Sequence, residues 1–137
     1  MISDPQTNTV YLANSLAAKE RNRFQTFLEG QGVTVKILQG TEDYYCRDYM
    51  PLQVDKNDFV QFVFKPDSYY KRSEIELITN PVLVHIANKL QHIRYSNIIL
   101  DGGNVVKWKD KVIITDKVYY DNRYQFESDE TILKQLE

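Results

Sequence analysis

The chain has 137 residues, 42% of them hydrophobic and 26% charged, with a formal net charge of −2; this suits one globular domain that buries roughly two-thirds of its unfolded surface. Such a balance, with no basic stripe, argues against nucleic acid, whose phosphates must be met by clustered Lys and Arg. No apolar run approaches a membrane span, no signal peptide opens the chain, and the single Cys46 excludes an intrachain disulfide or Cys-rich metal site, so a cytoplasmic protein without metal, cofactor or membrane partner is expected.

Thr9-Val10-Tyr11-Leu12 reads as a short buried strand. Asn14 or Ser15 is placed to cap the next helix, in which Ala17, Phe24, Phe27 and Leu28 recur at helical spacing. Gly30 and Gly32 supply its end, and Val33 to Leu38 alternates as a half-buried strand. Leu52-Gln53-Val54 and Phe59 to Phe64 bracket Asp55-Lys56-Asn57-Asp58, which predicts a hairpin with Val60, Phe62 and Phe64 on one face. Lys65 to Ser73 is a Tyr-rich surface loop in this reading, leading to a short extended or helical segment around Ile75, Leu77 and Ile78.

Asn80-Pro81 predicts a helix start, a capping side chain followed by a residue whose missing N–H costs nothing there. Leu83, Ile86, Ala87 and Leu90 form its apolar stripe, and His85 and His92 fall on it as packing or surface residues, with no acidic partner at metal spacing. Ile93 to Leu100 follows as a strand. Val105 to Trp108 and Lys111 to Thr115 form a second hairpin through Lys109-Asp110. Ser128, with Asp129 and Glu130 in the first turn, opens a last helix with Ile132, Leu133 and Leu136 on one side.

This order contains an internal repeat: helix, strand, acid, hairpin, seen twice. The acids are Asp48, between Arg47 and Pro51, and Asp101, before Gly102-Gly103. Taken singly, an Arg-Asp pair is usually a surface ion pair and Asp-Gly-Gly a plain hairpin turn. Occurring at matching places in successive repeats, two carboxylates at strand ends beside turns can aim their charges into a cleft.

At these residues the chain resembles the agmatine deiminases and bacterial-type peptidyl-arginine deiminases of the guanidino-group modifying superfamily. The family's Trp-x-Arg-Asp-x-x-Pro is matched by Tyr45-Cys46-Arg47-Asp48-Tyr49-Met50-Pro51, with Tyr for Trp. Its Glu-Gly-Gly-Asn is matched by Asp101-Gly102-Gly103-Asn104, with Asp for Glu. The resemblance covers most of the chain. It implies an α/β fold of repeated ββαβ-type units, part of a five-bladed α/β propeller (the pentein fold). On that reading residues 1–137 form a single domain of about two repeats plus the first helix of a third.

The resemblance also implies a hydrolase that converts a guanidinium to a ureido group and releases ammonia. In it Asp48 would grip the guanidinium nitrogens, and Asp101 would stand where the family's Glu supports the catalytic cluster. Arg47 would be a structural partner of neighbouring carboxylates, Gly102 and Gly103 would shape the turn, and Asn104 would fix it beside the substrate. The family's His-x-Asp segment and nucleophilic Cys have no counterpart in these residues, and Cys46 reads as a small half-buried thiol. Half a cradle for a small cationic guanidino compound, agmatine or an arginine side chain, is therefore expected, with no turnover by this chain alone. The alternative is a stand-alone binding module that closes its open edges by self-association or by docking a partner.

Overall fold

A computed structural model describes residues 6–66 and 72–136, the side chains of 72–74 excepted. The fold is mixed α/β, built from small sheets and short helices. It divides into two compact units: Gln6–Cys46 with Pro66–Gln91, and Arg47–Lys65 with His92–Glu137.

In the first unit β1 (Thr9–Ala13) and β2 (Thr34–Leu38) run parallel, joined by helix α1 (Ala18–Gly30). Gly32, at φ +77, provides the left-handed residue that turns the chain out of α1, whereas Gly30 is still helical. Neither Asn14 nor Ser15 caps α1. Ala17 holds the cap position without a side-chain bond, and the Ser15 hydroxyl instead donates to the Asp43 carbonyl at 2.8 Å. The two Phe of the predicted apolar stripe face water, Phe24 49% and Phe27 65% exposed, while Leu28 is half-buried.

Helix α3 (Pro81–Ala87) begins as the sequence implies. The Asn80 side chain accepts from the Val82 N–H at 2.9 Å, and Pro81 takes the first helical position. Its buried residues are Val84 and His85, however, while Leu83 and Ile86 are 57% and 69% exposed. The helix stops before His92, which lies beyond it at φ +56. A 3-10 segment, Arg72–Leu77, precedes α3; the Tyr-rich loop expected over Lys65 to Ser73 falls largely outside the described residues.

The second unit holds the sheet β3 (Leu52–Gln53), β4 (Phe59–Val63) and β5 (Ile93–Ile99) in that order, β3 antiparallel and β5 parallel to β4. A hairpin of β6 (Val105–Trp108) and β7 (Lys111–Ile114) follows, then helices α4 (Lys117–Asn122) and α5 (Asp129–Leu136). Ile98, Leu100, Val105, Val118 and Ile132 form the buried core, with Leu52, Phe62, Ile114, Tyr119, Phe126 and Leu136 packed around it. Tyr49 is wholly buried and meets Phe64 edge-on at 5.9 Å. Helix α4 has no counterpart among the elements expected from the sequence. Among the described residues no helix is long and apolar enough to cross a membrane.

Candidate functional site

From Arg47 onward the first motif lies in the second unit, which also holds the whole of the second motif. The first forms a single helical turn, α2 (Cys46–Tyr49), rather than an extended strand end. The second is a 3-10 turn, Gly102–Asn104, linking β5 to β6, rather than a hairpin turn. The Arg47 guanidinium reaches across to the second motif, Nε donating to the Gly102 carbonyl at 3.0 Å and Nη2 to the Val105 carbonyl at 2.6 Å. The Asp48 Oδ1 accepts from the Gly103 N–H at 3.1 Å. Arg47 thus braces one carbonyl of the second motif and one at the start of β6, and Asp48 is held against the motif's turn.

The glycine pair follows from this closeness. A Cβ at Gly102 would strike the carbonyl oxygen of Arg47, and one at Gly103 would strike the Asp48 carboxylate. Asn104 closes the turn: its N–H donates to the Asp101 carbonyl at 2.9 Å, and its Oδ1 accepts from the Thr115 hydroxyl at 2.9 Å.

Asp101 sits at the end of β5 with 4% of its surface exposed, and neither carboxylate oxygen accepts a hydrogen bond. Lys117, at the start of α4, brings its Nζ to 3.7 Å from Oδ2: close enough for an ion pair, too long for a hydrogen bond. That ammonium is hydrogen-bonded to the carboxylate of Asp121, one turn further on. Burial pushes the Asp101 pKa above its ordinary value. Lys117 pulls it down, and the negative charges of Asp48 and Asp121 push it up again; the net shift is upward.

Lys117 and Asp121 were invisible as site residues in the sequence. The only local signal is their i, i+4 spacing, in a segment too polar and too Tyr-rich to show an apolar stripe. Among the described residues, no three His, Cys, Asp or Glu side chains are placed to hold a metal ion. Cys46 opens a helical turn, in which residues two apart face away from each other.

The chain matches no protein-family model, and a search of curated proteins finds no match to it. What the site can do must come from its own chemistry. It offers one carboxylate from each motif, and one of these is deeply buried and lacks a hydrogen-bond donor. The complement of that arrangement is a cation carrying several N–H groups.

Proposed function

We propose that this chain is the guanidinium-gripping, N-terminal part of an agmatine deiminase-like or peptidyl-arginine deiminase-like hydrolase of the cytoplasm, its repeats belonging to a five-bladed α/β propeller. The observation that carries the reading is the Asp48–Gly103 contact, which sets Asp48 against the turn that follows Asp101, the other motif acid, whose buried carboxylate has no donor. A planar guanidinium donates pairs of N–H groups in the direction carboxylates accept them, so it satisfies this corner better than a compact ammonium does. In such an enzyme a thiolate attacks the guanidinium carbon, ammonia leaves, and water resolves the adduct to a ureido product. The thiolate and the His that handles the proton belong to motifs this chain does not match. Its share of the work is to bind and orient.

Calorimetry with agmatine, run beside an ammonia-release assay, tests this. Binding is expected without turnover, and Asp48→Asn is expected to weaken it by about 2 kcal/mol, the scale of a charge-assisted hydrogen bond. Absence of binding, or binding indifferent to Asp48→Asn, rejects the reading.

A second reading, a self-associating module, is favoured by one observation. Val106 and Ile113 face each other across the β6–β7 hairpin, and with Trp108 they stand 51%, 65% and 52% exposed. Sedimentation that shifts with concentration, and ceases to shift in Ile113→Lys, would support it.

A further inference from the structure

We infer that Lys117 is a resident counter-cation, standing where a bound guanidinium would stand and yielding by moving wholly onto Asp121. The inference rests on the guanidinium reading of the corner and adds to it a competitor built into the chain.

Three observations lead to it. Asp101 is nine-tenths buried with both oxygens unbonded, so its charge is balanced through space and not by donors. The Lys117 ammonium lies at ion-pair distance from one of those oxygens yet spends a hydrogen bond on Asp121. It therefore serves at least two acids, one as a near neighbour and one as an anchor. Lys117 is 29% and Asp121 19% exposed, so the ammonium has a partly solvated side towards which it can withdraw. A second cation at Asp101 would be repelled by an ammonium 3.7 Å from the same carboxylate. Occupancy by a guanidinium and by Lys117 is consequently exclusive, and Asp121 is the acid that receives the displaced charge.

This makes predictions of opposite sign at neighbouring positions, which a merely structural lysine does not. In agmatine titrations of the full chain, Lys117→Met is expected to bind about tenfold more tightly than the native protein. Lys117→Arg places a tethered guanidinium on Asp101 and is expected to bind about tenfold more weakly. Asp121→Asn, which removes the anchor and frees Lys117 for Asp101, is expected to weaken binding similarly. Lys117→Gln repeats the first test should Met disturb the fold. If the native chain binds agmatine and Lys117→Met binds it no better, the competitor is rejected while the guanidinium reading stands. If no variant binds agmatine, the guanidinium reading falls and displacement falls with it. Titration of the Asp101 carboxyl by 13C NMR without ligand is an independent test. An upward move of its midpoint in Lys117→Met is expected, and an unmoved midpoint rejects Lys117 as its counter-cation.

Discussion

Asp101 holds its charge where no hydrogen-bond donor reaches it, and its titration carries the consequence. Burial, opposed by Lys117 and reinforced by Asp48 and Asp121, raises its pKa above 3.8. The folded chain therefore keeps this proton longer than the unfolded chain does. The stabilisation linked to the neutral acid is full below pH 3.8 and is lost as pH rises through the raised value. Asp101→Asn should flatten that decline, seen as a urea midpoint that changes less than the native one between about pH 4 and about pH 7. His85 contributes the reverse slope. It is buried, and desolvation lowers its pKa below 6.5. The unfolded chain takes up that proton first, so stability is full above pH 6.5 and falls as pH drops towards the lowered value. His85→Leu should reduce acid sensitivity in this higher window, and an unchanged profile would contradict it. Of the charges around Asp101, only Asp48 was legible in the sequence. A motif marks residues adjacent along the chain, whereas Lys117 and Asp121 arrive through the packing of a helix the chain reaches later.

At the scale of elements, the start of α3 was legible where its buried face was not. Asn80 caps α3 because a side-chain oxygen can meet an orphan N–H using local geometry alone, and Pro81 requires nothing from the rest of the fold. Asn80→Ala should cost about 1 kcal/mol, measurable by chemical denaturation. The face a helix buries depends on what it is offered. On α1 the half-buried side chains are Glu20, Arg21, Gln25 and Leu28, not the two Phe. Arg21 donates to the Asn14 carbonyl at 2.6 Å and to the Leu16 carbonyl at 3.2 Å, so hydrogen bonds to the preceding turn help select that face. Periodicity counts apolar side chains and is blind to such bonds. Strands fared better: the two hairpins and the strand over residues 93–99 stand within a residue or two of their expected bounds. There, turn residues and β-branched runs point to the same answer. Gly102→Ala should test how tightly the turn is packed; with the Arg47 carbonyl in the way, a loss of about 1–3 kcal/mol is expected.

Over the whole molecule one order of elements recurs along the chain, and one hydrogen-bonding device occurs in both units. The order itself is present: α1, β2, Asp48 and a hairpin, then α3, β5, Asp101 and a hairpin. Each unit also contains an asparagine that clamps the end of a strand to a helix. Asn88 receives the Gln39 N–H on Oδ1 at 3.0 Å and donates Nδ2 to the Gln39 carbonyl at 2.9 Å and to the Val84 carbonyl at 2.8 Å. Asn122 does the same at Ile99 and Val118, at 2.9, 2.8 and 2.8 Å. A carboxamide is suited to this role because its O and NH2 can replace a missing neighbouring strand while a second donor hydrogen serves the helix. Neither asparagine stands out in the sequence, since an Asn near a helix end reads as an ordinary stop. Asn122 is wholly buried, so truncating it strands a strand-end N–H and two carbonyls away from water. Asn122→Ala should cost about 3 kcal/mol on that ground, and hydrogen exchange should quicken at Ile99 and along α4. The Asn88 clamp is exposed on its Gln39 side, where water can replace the lost bonds, so Asn88→Ala should cost about 1 kcal/mol and quicken exchange at Gln39. Equal losses at the two positions would mean that burial does not set the strength of the clamp.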